Sequence, residues 1–261
     1  MKILVQSDDF GFTRSVNAGM ADAFERGIIT STGLFVNMPI VNESVSIMKK
    51  YPHICFGIDI NVVSGPSVSD YRLLPTLCNQ ETGMFIQTTE RMKDPRWGKE
   101  DIFKPYDEVF LEGCAQVERF IELLGYKPNY LQSHSKSGSE TYMSAIRDVA
   151  RKYSIKFAPD MYVKYHIKPL FDFENIHGDP FSFENRTRDE VSVKLRLLEE
   201  NKNEEYVMLP SHCGFVDAEL MKMSRCNIDR AYDHEYLTSP LIKEWIKNND
   251  AELISFRDLE I

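Results

Sequence analysis

The chain has 261 residues, of which 43% are hydrophobic, and carries a formal net charge of −9. This length and apolar content predict a folded globular protein, and the negative charge argues against nucleic acid as a partner, because the phosphate backbone is also negative. No apolar run approaches the roughly 20 residues of a membrane-spanning helix, and the amino terminus enters a strand without a basic and apolar leader. With five scattered cysteines and no C-x-x-C pair, these features predict a cytoplasmic protein without a membrane partner.

Strand-like and helix-like segments alternate along the chain. Lys2 to Gln6 predicts a first strand, and the apolar spacing over Val16 to Arg26 predicts a helix that Gly27 ends. Further strands are predicted at IITSTGLFVN, ICFGIDINVV, KPNYLQSH, EEYVMLPSHCG and AELISF. Further helices are predicted at VNESVSIMKKY (begun by Asn42 or Ser44), VFLEGCAQVERFIELLG, TYMSAIRDVARKYS, about 185 to 202, and SPLIKEWIKNND. The alternation predicts an α/β fold with mainly parallel strands, closed into a (β/α)-barrel-like arrangement.

The chain is predicted to form one domain over residues 1–261. No Pro/Ser-rich linker divides it, and no internal repeat is visible. Residues 66–106 are polar, carry turn residues and include Trp97, so they are predicted to be a long insertion of the kind that shapes a binding site.

Four predicted strands end in, or carry, residues of one chemical kind. The first is followed by Asp8 and Asp9, the third carries Asp59, and two later strands end at His134 and His212. The carboxyl ends of parallel strands meet on one face, where active sites are built. Aspartate and histidine suit divalent ions as ligands, and the remaining groups suit a general base and a general acid.

Each of these residues also has an ordinary structural interpretation. An Asp-Asp pair after a strand is commonly a solvated turn that caps the next helix, and Asp59 can cap a turn with Asn61. A histidine at a strand end is commonly a hydrogen-bonded loop residue. Cys213 fits either an inert small residue or a metal contact beside His212. The residue pattern alone leaves these alternatives open.

The opening stretch SDDFGFTRSVNAGMADAFERGIITSTGLFVN resembles the start of the YdjC-like carbohydrate deacetylases, also called the chitooligosaccharide deacetylase family. The likeness continues in order through Gly57-Ile58-Asp59, Leu74-Pro75, GYKPNYLQSH, PSHCGFVD and RAYDHEYLTS, and it covers nearly the whole chain. The resemblance implies a (β/α)-barrel-like deacetylase fold, one divalent metal ion and a small carbohydrate substrate.

The resemblance also implies roles for single residues. Asp8 takes the place of the family's base and His212 that of its acid. Asp9 and His134 fall on metal ligands, and Asp59 falls where the family carries a ligand histidine.

Three positions depart from the family pattern. Asp59, Lys136 and Gly138 stand where histidines are expected. A ligand set of Asp9, Asp59 and His134 is harder and more anionic than the usual one, which favours Mg²⁺ or Mn²⁺, with Zn²⁺ as the alternative. Lys136 can instead pair with Asp59 or Asp9 and take the place of the cation.

The sequence therefore predicts a metal-dependent hydrolase that removes an N-acetyl group from a small amino sugar or oligosaccharide. Lys136, Arg230 and Trp97 are the predicted substrate-binding residues, and Tyr71 and Phe85 are further aromatic candidates for stacking on a sugar ring. Ordinary loop packing is the alternative for each of the three aromatic residues. Two other functions remain open: an impaired paralogue that binds carbohydrate without cleaving it, and a metal hydrolase acting on a phosphorylated sugar. A second copy of the chain is a candidate partner.

Overall fold

A computed structural model of the protein describes residues 1–93, 105–135, 140–171 and 182–261. The chain forms two compact units. Unit 1 consists of residues 1–32, 50–55 and 161–261, and unit 2 consists of residues 33–49 and 56–160. Among the described residues, no helix combines the length and the apolar character needed to cross a membrane.

Strands and helices alternate as predicted. The strands are β1 Lys2–Phe10, β2 Ser31–Leu34, β3 Cys55–Ile60, β4 Tyr130–Ser133, β5 Lys156–Phe157, β6 Lys168–Pro169, β7 Tyr206–Ser211 and β8 Glu252–Ile254. The helices are α1 Arg14–Arg26, α2 Val41–Met48, α3 Thr88–Arg91, α4 Tyr106–Leu124, α5 Glu140–Tyr153, α6 Ala158–Lys164, α7 Phe183–Arg186, α8 Glu190–Glu200, α9 Ala218–Met223, α10 Ile228–Thr238 and α11 Pro240–Asn248.

In unit 1, β1 is the central strand. It pairs in parallel with β7 and with β8, and β6 pairs in parallel with β7. Ile3, Leu4 and Val5 are fully buried, as expected for a parallel strand covered on both faces. The chain turns from β1 into α1 at Thr13, whose hydroxyl accepts the Val16 N–H and caps the helix.

In unit 2, β3, β4 and β5 pair in parallel in that order. All six residues of β3 are buried, so this strand lies in the core. Helix α4 ends at Gly125, whose φ of 79° is left-handed, a conformation that glycine adopts without strain. Its predicted end is therefore confirmed.

The structure corrects several predicted boundaries. Strand β1 continues through Asp8 and Asp9 to Phe10, so the two aspartates lie within the strand and neither caps α1. Helix α2 begins at Val41, and its N-cap residue Ile40 provides no side-chain cap. The helix predicted at about 185 to 202 is two helices, α7 and α8. Helix α10 was not predicted, because RAYDHEYLTS is polar and has little apolar periodicity.

Candidate active site

In unit 1, the register of β1 with β7 brings the predicted base next to the predicted acid in the sheet. The last paired residues are Ser7 and Ser211, and Asp8 and His212 are the next residues along each strand. Two further bonds fix these strand ends: the Ser211 hydroxyl donates to the Gln6 carbonyl at 3.0 Å, and the Cys213 N–H donates to the Ser7 hydroxyl at 2.9 Å. The predicted base, within β1, and the predicted acid, which directly follows β7, thus lie at the same level of the sheet.

The carboxylate of Asp8 is held by a neighbour on its own strand. Gln6 donates from Nε2 to Asp8 Oδ1 at 2.8 Å, and Tyr162 of α6 donates from its hydroxyl to Gln6 Oε1 at 2.6 Å. Gln6 and Asp8 are two residues apart and therefore point to the same side of β1. A side chain of α6 is thus connected to Asp8 through one amide.

Asp9 has an unusual backbone. Its φ of 71° is left-handed, and its carbonyl accepts the Phe12 N–H at 3.1 Å in the turn that leads to α1. In the same turn, Gly11 donates its N–H to Asn17 Oδ1 at 2.7 Å. Aspartate adopts the left-handed conformation more readily than most residues, and the hydrogen bonds of the turn hold Asp9 in it.

The side chain of Asp9 forms a buried ion pair. Arg230 Nη2 lies 2.5 Å from Asp9 Oδ2, and the two side chains are only 1% and 2% exposed. Arg230 also donates from Nε to the Cys226 carbonyl at 2.8 Å. The predicted substrate-binding residue Arg230 is therefore buried against a predicted metal ligand, and a role in binding substrate stays a prediction.

Helix α10 contacts a second predicted site residue. Asp233, one turn after Arg230, accepts the backbone N–H of His212 through Oδ2 at 2.7 Å. Burial raises the pKa of the Asp233 carboxyl, although the His212 N–H and the Lys194 ammonium act in the opposite direction. One face of α10 thus contacts both Asp9 of β1 and His212, the residue that follows β7.

In unit 2, Asp59 and His134 lie on the same side of the sheet. Asp59 pairs in register with Gln132, and His134 follows two residues later, with its N–H donating to the Ile60 carbonyl at 2.9 Å. Gln132 and His134 are two residues apart and therefore point to the same face of the sheet. Asp59 points to that face as well, because it is paired with Gln132. Asp59 is fully buried, and a Cβ placed on Gly33 would lie 1.7 Å from its Oδ1.

Two aromatic side chains, Tyr142 and Phe35, contact His134 in unit 2. The buried Tyr142 hydroxyl lies 3.0 Å from the Ile60 carbonyl and 3.1 Å from the His134 carbonyl, so its single proton is shared between these two acceptors. The His134 ring meets the Phe35 ring edge-on, with centroids 4.6 Å apart. Burial, together with the Asp59 carboxylate, raises the pKa of Tyr142 well above its ordinary value, so the phenol stays protonated and remains a donor.

The donor types of the predicted ligand set fit a divalent cation. Asp59 and His134 present an oxygen and a nitrogen donor on one sheet face, and Asp9 is a second carboxylate. Because Asp9 Oδ2 contacts Arg230, a metal contact by Asp9 would fall to its Oδ1. Across the four described ranges, no three His, Cys, Asp or Glu side chains are arranged as a ready-made metal site. The ligand set Asp9, Asp59 and His134 stays a prediction.

Other predicted residues have different outcomes. Lys136, Gly138 and Trp97 lie outside the described residues. Phe85 is 5% exposed and belongs to the core, which favours ordinary packing over stacking on a sugar ring.

Cys213 is fully buried, and burial raises the pKa of its thiol, which favours the inert structural interpretation over that of a metal contact. Sequence reasoning missed Gln6, Tyr162 and Asp233. Of these three residues, only Asp233 lies in a stretch that carries part of the family resemblance, RAYDHEYLTS.

Comparison with known proteins identifies the class. The YdjC-like protein family matches residues 2–248 of the chain. Carbohydrate deacetylase 2 of Listeria innocua is 28% identical over 264 residues, which cover 99% of each chain. The fold is similar to that of a candidate cellobiose-phosphate cleavage protein from Enterococcus faecalis V583, whose crystal structure gives a TM-score of 0.78. The two sequences are 21% identical, and the match covers 98% of this chain and 97% of that one.

A family 4 acetyl xylan esterase from Clostridium thermocellum has a TM-score of 0.52 at 8% identity, covering 99% of this chain and 89% of that one. The two structural matches show the fold alone. The prediction of an α/β, mainly parallel, (β/α)-barrel-like deacetylase fold is confirmed. The chain belongs to the YdjC-like protein family.

Proposed function

We propose that the protein is a metal-dependent deacetylase that hydrolyses an N-acetyl group on a small amino sugar or oligosaccharide. Its similarity to the Listeria carbohydrate deacetylase over nearly the full length supports the substrate class. The observation that carries the proposal is the placement of Asp8 and His212 immediately after the last registered pair of β1 and β7. Adjacent backbone positions of an aspartate and a histidine on two paired strands support a general base and a general acid for the two proton transfers of amide hydrolysis.

In this proposal the two residues divide the proton transfers. Asp8 accepts a proton from water as the water oxygen forms a bond to the acetyl carbon. His212 donates a proton to the amine nitrogen as the carbon–nitrogen bond breaks, so that acetate and a free amino sugar are released. Asp233 fixes the backbone of His212, and Gln6 fixes the carboxylate of Asp8.

Asp9, Asp59 and His134 are the residues that would hold the metal. A divalent ion, when bound, polarises the acetyl carbonyl and lowers the pKa of water. Because Asp59 stands in the place of a family histidine, the set is richer in oxygen donors, which supports Mg²⁺ or Mn²⁺ over Zn²⁺.

The test is release of acetate from N-acetylglucosamine and from diacetylchitobiose, with Mg²⁺, Mn²⁺ or Zn²⁺ supplied. We expect Asp8→Asn and His212→Gln each to lower kcat by about 100-fold or more. The exposed residues Asp107 and His53 provide matched controls, Asp107→Asn and His53→Gln, which should retain the activity of the wild type.

The same assay separates the other two functions. Release of phosphate from a phosphorylated sugar, with no release of acetate, would identify a phosphoesterase. Binding of the oligosaccharide without release of either product would identify a carbohydrate-binding paralogue. The cytoplasmic location, the homodimer and the substrate contacts of Lys136 and Trp97 stay predictions.

A further inference from the structure

We infer that Tyr162 and Gln6 are positioning residues for Asp8: a hydroxyl on α6 orients one amide, and that amide orients the carboxylate that takes the proton. This inference rests on the proposed function, because it assigns Asp8 the role of base. The three groups are joined by two short hydrogen bonds, 2.6 Å from Tyr162 to Gln6 and 2.8 Å from Gln6 to Asp8.

The chemistry of the three groups determines the direction of both bonds. An ionised carboxylate only accepts hydrogen bonds, so the Gln6 atom that faces Asp8 must be the NH₂ group. The amide oxygen then faces Tyr162, and the phenol must donate to it. If the amide rotated by half a turn, its oxygen would face the Asp8 carboxylate and its NH₂ group would face the phenol. The Asp8 carboxylate, which only accepts, therefore selects this orientation of the amide, and the Tyr162 hydroxyl holds the amide in it by donating to Gln6 Oε1.

Both positioning side chains are themselves held. Gln6 is only 4% exposed, and its backbone carbonyl accepts the Ser211 hydroxyl at 3.0 Å. The Tyr162 ring lies against the Phe256 ring, with centroids 6.1 Å apart, and the Tyr162 carbonyl accepts the Ile167 N–H at 2.9 Å. The hydroxyl and the amide therefore have little freedom to move away from Asp8.

The bond to Asp8 Oδ1 restricts rotation of the carboxylate about its last side-chain bond. A base must present one oxygen along the line of proton transfer, and a misdirected carboxylate loses rate even when substrate still binds. The effect should therefore appear in kcat and leave KM unchanged.

The test uses Tyr162→Phe, which keeps the ring and its contact with Phe256 and removes only the hydroxyl. Its matched control is Tyr165→Phe, at a tyrosine three residues after Tyr162. This variant removes a hydroxyl that accepts the Glu260 N–H at 2.8 Å. Gln6→Met keeps the length of the side chain and removes the amide. We expect kcat for acetate release to fall about 3- to 10-fold in Tyr162→Phe and further in Gln6→Met, with KM unchanged in both.

The double variant Tyr162→Phe/Gln6→Met tests whether the two residues act in series. Without the Gln6 amide the Tyr162 hydroxyl has nothing to orient, so the double variant should be no slower than Gln6→Met alone. Independent, multiplicative losses would overturn the inference. A rise in KM equal to the loss in kcat/KM, with kcat unchanged, would also overturn it.

The outcome also separates this inference from the proposed function. If the wild type releases acetate, Asp8→Asn does not, and Tyr162→Phe matches Tyr165→Phe, then Asp8 is the base and the positioning role is wrong. If the wild type releases no acetate with any of the three metals, the proposed function fails and the positioning role fails with it.

Discussion

At the scale of single residues, Asp9 shows what a sequence does and does not reveal. Its place in an Asp-Asp pair marked it as a site residue, but its ion-pair partner Arg230 is 221 residues away in the chain. No local pattern predicts such a pairing, so Arg230 was assigned to substrate. The left-handed backbone of Asp9 was equally hidden, because the strand was expected to end before it.

The buried pair of Asp9 and Arg230 should matter strongly for stability. Arg230→Met keeps much of the side-chain volume but leaves the Asp9 carboxylate buried without its guanidinium, so we expect the free energy of unfolding to fall by about 3–5 kcal/mol. The matched control is Arg72→Met, which breaks the exposed pair with Asp70 and should cost about 1 kcal/mol or less. Urea unfolding measures both. Equal losses in the two variants would contradict the argument.

Gly33 should be intolerant of a side chain because of Asp59. The Cβ of an alanine there would fall 1.7 Å from Asp59 Oδ1, so Gly33→Ala should lower the free energy of unfolding by at least about 1–3 kcal/mol. The cost should shrink in an Asp59→Ala background, where the colliding oxygen is gone. Thermal or urea unfolding of the two single variants and the double variant gives this comparison. Strictly additive losses would show that Asp59 is not the obstacle.

At the scale of secondary structure elements, polar side chains on helices determine how the loops and strand ends are held. Helix α10 fixes two strand ends through Arg230 and Asp233, three residues apart. The strands were predicted well because their side chains are buried, and a buried strand appears in the sequence as a short run of apolar residues. Helix α10 was missed because its role is carried by charged residues, whose partners are distant in the chain.

Helix α4 uses a similar polar stripe in unit 2. Glu108 accepts the N–H groups of Thr76 and Leu77, and Glu112 accepts those of Val68 and Ser69 at 2.9 Å each. These positions are four residues apart and so lie on one helix face. The described part of the predicted insertion is therefore fastened to α4 through carboxylates.

Burial raises the pKa of Glu112, and this gives a pH-dependent prediction. The pKa of Glu112 in the folded protein lies above its unfolded value of about 4.3. The protonated carboxyl therefore favours the folded state, and this stabilisation is fully present below the unfolded pKa. It is lost as the pH rises through the folded-state pKa. The free energy of unfolding of the wild type, minus that of Glu112→Gln, should therefore decrease as the pH increases.

Urea unfolding from about pH 4 to pH 8 measures this difference. The exposed Glu122 on the same helix provides the control Glu122→Gln, which accounts for the loss of one negative charge. A wild-type advantage over Glu112→Gln that grows with pH would contradict the raised pKa.

At the scale of the whole molecule, the alternation of strands and helices predicted the fold class, because the period of apolar residues follows directly from how each element is buried. Sequence also predicted the ends of β4 and β7 to within one residue of His134 and His212, whereas β1 continues past Asp8 and Asp9 to Phe10. Sequence could not predict how the chain divides, because unit 1 is assembled from three separate segments, 1–32, 50–55 and 161–261. The single-domain prediction over 1–261 is not tested by this division.

The metal gives the last prediction, and it concerns the stability of the whole chain without depending on activity. A ligand that binds only the folded state stabilises it by about 2.7 kcal/mol at 100 times its dissociation constant. We therefore expect Mn²⁺ or Mg²⁺ to raise the Tm of the wild type and EDTA to reverse the rise. Asp59→Ala should lose this response, because it removes one of three predicted ligands. Asp107→Ala, which removes an exposed carboxylate, should keep it. Equal metal-induced shifts in wild type and Asp59→Ala would remove Asp59 from the ligand set, and the rise in Tm would then have to come from donors other than this buried carboxylate.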